Sequence, residues 1–200
     1  MGSKASVVSI DTTTAGPFIE RWHYSGRVPT GKNLFYGWYD ETNDLYAVAD
    51  YGIGVNPYQA AYLSRITGKN VQHQHLLELR RLCRREPKRE DMPLTQFLAQ
   101  CHKLLRQTGY KYVVSFSDPA YGHTGGLYKA ANFEHLGVTA SERHVMDSEG
   151  NVRHRRLAFR HARRNGCSIQ ESRDALGLRV IVTPPKDRWF IDLGGGQRER

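Results

Sequence analysis

The chain has 200 residues, 39% of them hydrophobic, which suffices for one ordinary domain with a real core and excludes disorder throughout. Lys and Arg number 29 against 20 Asp and Glu, a formal charge of +9 dominated by Arg, whose planar donors suit phosphate; a nucleic-acid partner is the expectation. Three scattered cysteines, Cys83, Cys101 and Cys167, with no CxxC pair exclude a disulfide framework and a structural zinc site, and no apolar run reaches the roughly 18 residues of a membrane span.

Residues 7–10 read as a short strand. A helix opens at Gly16-Pro17, runs through Phe18, Ile19 and Trp22, and stops near Gly26. Residues 34–39 and 45–51 are rich in aromatic and β-branched side chains and flank a polar turn, which predicts an antiparallel hairpin. Residues 58–66 form a short helix ended by Gly68. Residues 76–84 (LLELRRLCR) combine helix propensity with strand alternation and stay open between the two. A charged loop with Pro87 follows.

Residues 93–107 are the clearest helix. Leu94, Phe97, Leu98, Cys101, Leu104 and Leu105 make one apolar stripe at helical spacing. Gly109 stops it, residues 110–116 are a buried strand, and residues 122–132 a second helix. From Val138 the chain continues as strand, turns at residues 147–151, and pairs back through residues 157–159. Ser168 and Glu171 have capping-box spacing, residues 189–193 suggest an edge strand, and the glycines from 194 with the charged end read as frayed. The expected organisation is a catalytic domain over residues 1–162 and a basic extension over 163–200, packed on it or trailing from it.

The order β-α-β-β-α-β-α-β-α-β predicts an α/β fold with a mixed sheet. It resembles the GNAT acyltransferases. Leu127-Tyr128-Lys129-Ala130-Ala131-Asn132-Phe133 matches their LYxxxGF pattern, with Asn132 in place of Gly. Where those enzymes carry a Gly-rich loop for a pyrophosphate, residues 84–95 (RREPKREDMPLT) hold no glycine.

A closer resemblance is to the Mom family of phage adenine-modifying proteins, an atypical GNAT branch. It rests on His23-Tyr24, on Glu78-Leu79-Arg80-Arg81-Leu82, on residues 95–98, and above all on Ser115-Phe116-Ser117-Asp118, Gly122-His123-Thr124-Gly125 and Leu127-Tyr128. The resemblance implies conversion of adenine N6 in DNA to a carbamoylmethyl adduct. That adduct protects phage DNA from restriction in the cytoplasm of the host bacterium.

Such chemistry must position a weakly nucleophilic amine and take its proton. Asp118, at a strand end, is the candidate for that task, with a turn cap as its structural alternative. Ser115 holds substrate or bonds backbone, and Tyr128 stands where GNAT enzymes protonate a leaving thiol. His23 and Tyr24 shuttle a proton, bind the base, or join Asp118 as ligands of Fe(II), the metal the family suggests. Glu78 pairs with Arg81 or another nearby arginine. Arg84, Arg85, Thr95, His123 and Gly125 would contact the donor.

That donor is either acetyl-CoA or glycyl-tRNA. A glycyl group on N6 through its carbonyl and a carbamoylmethyl group through its methylene are isomers, which favours considering the second. Residues 153–164 hold six Arg and two His without an acid. Arg153, Arg155, Arg156 and Arg160 would bind the phosphates of double-stranded DNA, with a solvated strand face as the structural alternative. The adenine would be flipped out, and Trp22, Tyr24, Phe35, Tyr36 and Trp38 are stacking candidates, most of them core. No membrane partner is expected, and a dimer is compatible with these features. Two other functions stay open: an acetyl-CoA-dependent GNAT enzyme acting on a small molecule or protein, and a non-catalytic DNA-binding protein.

Overall fold

The computed structural model describes residues 5–54 and 56–194, so the end beyond Gly194 lies outside the described residues. Strand β1 (Ser6–Ile10) leads into helix α1 (Thr12–Trp22). The Asp11 carboxylate caps that helix by accepting the Thr14 amide at 2.9 Å. The helix therefore starts a turn ahead of the expected Gly16-Pro17 opening, and Pro17 lies inside it. Strands β2 (Asn33–Tyr39) and β3 (Leu45–Gly52) form the predicted hairpin. Helix α2 (Gln59–Thr67) ends at Gly68, whose φ of 70° is the left-handed conformation that suits glycine.

The ambiguous segment is a strand, β4 (Leu76–Arg84), because tertiary pairing overrides its helix propensity. It pairs antiparallel with β3 and parallel with β5 (Tyr112–Ser117), with helix α3 (Leu94–Gln107) as the crossover. Helix α4 (Gly126–Ala130) and strand β6 (Glu134–Val138) follow. The helix expected from residue 122 begins later. Gly122 and Gly125 have φ of 73° and 74°, through which a right-handed helix cannot run.

Strands β7 (Glu142–Met146) and β8 (Val152–Arg153), helices α5 (Arg156–Asn165) and α6 (Ile169–Ala175), and strand β9 (Arg179–Thr183) come next. Residues 157–159 are thus helical, not paired back as strand. Ala158 and Ala162 at helical spacing bury one side against Val145 and Leu178. The capping box at Ser168 and Glu171 forms as predicted. Strand β10 (Asp187–Asp192) closes the chain, and it is an interior strand rather than an edge, lying between β5 and β6.

The main sheet has the order β1-β2-β3-β4-β5-β10-β6, and β8-β7-β9 form a second sheet. Two units result. The larger takes the chain through Ser117, Thr124–Gly137 and the chain from Asp187 on; the smaller takes Asp118–His123 and Val138–Lys186. The boundary expected after residue 162 falls inside α5, and residues 163–192 divide between the two units.

In the larger unit both sheet faces are covered. Phe97, Leu98, Cys101 and Leu105 of α3 pack on Tyr36, Trp38, Tyr51, Leu77, Leu79 and Val113. On the opposite face Ala15 and Ile19 of α1 meet Phe35, Val48 and Cys83, while Ala60 and Leu63 of α2 meet Leu76, Val114 and Phe190. Successive strand residues alternate between these layers, as the pleat requires. Among the described residues no helix is long and apolar enough to cross a membrane.

Candidate functional site

The parallel pairing of β4 with β5 runs from Leu76 and Tyr112 to Leu79 and Ser115 and ends there, although both strands continue. A polar pair sits at this point. The buried Ser115 hydroxyl lies 2.9 Å from the Leu79 carbonyl and 2.8 Å from the Tyr128 hydroxyl. A carbonyl only accepts, and a serine carries one proton. Ser115 therefore donates to Leu79, and Tyr128 donates to Ser115.

Helix α4 delivers Tyr128, and aromatic rings fix its angle. The phenol stacks on Trp189 at 5.7 Å and meets Phe133 edge-on at 5.3 Å. The Trp189 indole donates to Ser117 Oγ at 2.9 Å, so Ser115 and Ser117, two residues apart on one face of β5, anchor both stacked rings. Gly125 makes the stack possible: a Cβ there would collide with the Trp189 indole. Burial raises the Tyr128 pKa, and the charges of Tyr24 and Glu78 add to it. The phenol keeps its proton beyond the usual range.

Glu78 thus belongs to the same neighbourhood, a role its sequence context as an arginine partner did not reveal. A Cβ on Gly54 would lie 2.8 Å from Glu78 Oε2 and 3.3 Å from Gln59 Oε1, so these side chains close over a bare backbone. Nearby on β4, Arg80 donates to the fully buried Asp50 at 2.9 Å and to Asn33 at 2.5 Å. Burial pushes the Asp50 carboxyl up against the opposing effect of Arg80.

His23 and Tyr24 follow α1 with their rings 4.3 Å apart. The Ser25 amide donates to His23 Nδ1 at 3.1 Å, so the neutral ring carries its proton on Nε2. Among the described residues no three His, Cys, Asp or Glu side chains converge as a metal site. Tyr24 is half exposed, and among the stacking candidates Phe35, Tyr36 and Trp38 are core residues.

The loop between β4 and α3 differs from the expected donor site. Arg85 lies 3.3 Å from Asp40 and 3.7 Å from Asp44; Arg89 lies 3.3 Å from Asp40, 2.8 Å from Glu41 and 2.6 Å from Asp91. Arg84 pairs with Glu86 at 3.1 Å. Asp40 is buried, which would raise its carboxyl, but hydrogen bonds from Thr42 and Asp44 and the charge of Arg85 hold it below the usual range. Thr95 stands half-buried in the first turn of α3. The loop carries this arginine-carboxylate network and no glycine, where the GNAT pattern has a Gly-rich loop.

In the smaller unit, Asp118 Oδ1 accepts the Ala120 amide at 3.1 Å and Oδ2 lies 3.1 Å from Lys186 Nζ. This is the turn-capping arrangement. The His123 amide donates to the Asp118 carbonyl at 3.4 Å, and its ring lies 6.4 Å from Tyr121. Arg153 is paired with Asp147 at 3.0 Å. Arg155, Arg156 and Arg160 are exposed; Arg155 stands at the N-terminal cap of α5, and Arg156 and Arg160 belong to that helix rather than to a strand.

A parallel strand pair that parts at its end, with α3 as crossover, is the arrangement of the GNAT acyltransferase fold, and solved structures agree in fold. An N-acetyltransferase from Staphylococcus aureus Mu50 aligns with a TM-score of 0.50 at 13% identity, covering 96% of this chain and 99% of that one. The ribosomal-protein-S18-alanine N-acetyltransferase from Escherichia coli gives 0.51 at 9% identity, covering 98% of both chains. The dodecameric spermidine N-acetyltransferase from Vibrio cholerae, in an intermediate state, gives 0.53 at 9%, covering 98% and 99%. No curated protein sequence matches the chain. The Mom protein family matches residues 4–182, and the chain belongs to that family.

Proposed function

We propose that this protein is a DNA-modifying transferase that converts adenine N6 to its carbamoylmethyl derivative, with glycyl-tRNA as donor. The observation that carries the reading is the Tyr128-Ser115-Leu79 hydrogen-bond chain where β4 and β5 part, on an acyltransferase fold in a Mom-family chain. A buried, protonated phenol beside a strand opening suits a general acid.

In the first step adenine N6 attacks the glycyl ester carbonyl. An N6–C bond forms, the ester C–O bond breaks, and the tRNA 3′ oxygen leaves with a proton that Tyr128 supplies. The proton lost from N6 passes to a base, for which Glu78, whose charge acts on Tyr128, is the candidate. The glycyl amine then attacks C6, closing a five-membered ring, and scission of the original C6–N bond gives the carbamoylmethyl isomer. No oxidant is needed. Acetyl-CoA has the wrong composition for this product, and the arginine-carboxylate network of the β4–α3 loop supports its exclusion.

The test is mass spectrometry of nucleosides from DNA incubated with purified protein, with and without RNase. The expected result is an adenine adduct of the carbamoylmethyl mass that depends on charged tRNA and not on coenzyme A. Adduct formation after complete RNA removal would refute the donor, and unmodified nucleosides from every reaction would refute the function.

A further inference from the structure

Helix α5 carries a surface that nothing in the smaller unit's own energetics explains. Its inner side buries Ala158 and Ala162, while Arg155, Arg156, Phe159, Arg160, Arg163 and Arg164 are all exposed. These six recur at the three- and four-residue spacing of one helix face. None of the five arginines is ion-paired among the described residues, in contrast to Arg153 on the neighbouring strand. Arg156, Arg160 and Arg164 stand four residues apart and repel one another, and Arg155 and Arg156 oppose the helix dipole at its N-terminus. The arrangement weakens the isolated helix. It becomes favourable only against an anion of extended form.

At the middle of this rail sits Phe159, a large apolar side chain 44% exposed. Phosphate recognition has no use for it; a base step does, because an aromatic wedge between base pairs recovers its burial there. The partner helix α6 is excluded as the rail by its own charges: Glu171 and Asp174 stand among its residues. It acts as a support instead. The Ser172 hydroxyl lies 2.9 Å from His161 Nδ1 and 3.4 Å from Cys167 Sγ, tying the two helices together across Gly166.

We infer that the exposed face of α5 docks on double-stranded DNA, with Arg156, Arg160 and Arg163 on phosphates and Phe159 wedged into the base stack beside them. The inference rests on the proposed reading that DNA is the substrate. It adds a wedge residue, removes Arg153 and Arg155 from the phosphate-contacting set, and brings in Arg163. An unstacked step lowers the cost of extruding a neighbouring adenine.

The experiment uses the full chain and a duplex oligonucleotide carrying 2-aminopurine. Affinity is measured across a salt series for the wild type, for the triple variant Arg156→Gln, Arg160→Gln, Arg163→Gln, and for Phe159→Ala and Phe159→Leu. Thermal melting checks that each is folded. The expected triple variant loses about 0.9 in salt slope for each phosphate contact removed. Phe159→Ala keeps that slope but loses the fluorescence rise, and Phe159→Leu retains much of it because leucine also wedges.

An unchanged slope and affinity in a folded triple variant overturn the inference. So does tighter binding of RNA than of duplex DNA through the same residues. Failure here is separable from failure of the proposed function. Adducts formed with full yield by a triple variant that binds normally sink only the docking surface, whereas α5-dependent binding without any adduct sinks only the chemistry.

Discussion

The proton on Tyr128 is held by the Ser115 hydroxyl, which in turn is anchored on the Leu79 carbonyl, so single-atom changes separate chemistry from folding. Tyr128→Phe keeps the stack on Trp189 and removes the hydroxyl. Its modification rate is expected to fall about 10²–10⁴-fold, the range for losing a general acid, with a stability change of about 1 kcal/mol. Ser115→Ala also strands the Leu79 carbonyl and costs about 1–3 kcal/mol in urea unfolding. Rates indistinguishable from wild type in both variants would remove the dyad from the mechanism. Elsewhere in the core, His102 on α3 lies against Phe133 at 5.5 Å, and burial, reinforced by the Arg106 charge, lowers its pKa to about 4. The folded state keeps this ring neutral while the unfolded chain protonates near the ordinary value of 6.5. The lowered pKa gives stability that is present above pH 6.5 and lost as pH falls towards 4, up to ~3 kcal/mol. His102→Leu should flatten that limb of a melting-temperature series; an unchanged acid limb would place the sensitivity in another group. Ser115 and Tyr128 were legible in the sequence because their motif brings two hydroxyls close along the chain. Trp189, their aromatic floor, was not, since its only marker is a contact with residues far away in sequence.

Among the elements, α4 and the β4–α3 loop are each held by one replaceable group. Gly125→Ala forces a Cβ into the Trp189 indole at a φ of 74°. The backbone alone costs about 1–2 kcal/mol, and the displaced indole should quench differently in tryptophan fluorescence. A variant with wild-type emission and stability would show that α4 has room to shift. Asp40→Ala removes the carboxylate that both Arg85 and Arg89 reach and that caps the β2–β3 turn. It should cost about 1–3 kcal/mol and leave the β4–α3 loop more open to protease, and unchanged cleavage would mean that the remaining acids suffice. The elements with strong local signals read correctly: the α3 stripe, the β2–β3 hairpin and the Ser168 capping box. Residues 157–159 did not, because three residues carry no periodicity. Their helix is recognisable only once Ala158 and Ala162 have a sheet to lie on.

For the whole molecule, two groups of arginines contrast. Arg80, Arg84, Arg85, Arg89 and Arg153 are paired with carboxylates, while those of the α5 face have no ion pair among the described residues. Calorimetry with coenzyme A should therefore register no binding to the wild type at concentrations that saturate acyltransferases of this fold. Micromolar binding would reinstate the conventional donor. Net charge predicted a polyanionic partner without showing which cations are available to it, since pairing is a property of neighbours in space.

The sequence by itself determined the family, through the Ser115–Tyr128 block, and most of the strand-helix order of an acyltransferase fold. Those features are local: periodicity, turn residues and motif spacing act over a few residues. Only the tertiary structure decided that β4 is a strand, that β10 enters the sheet between β5 and β6, that the arginines of the donor loop are engaged, and that the basic run forms a helix with Phe159 exposed among its cations. Each of these is set by which residues meet across long sequence separations, where burial and charge pairing outweigh local preference.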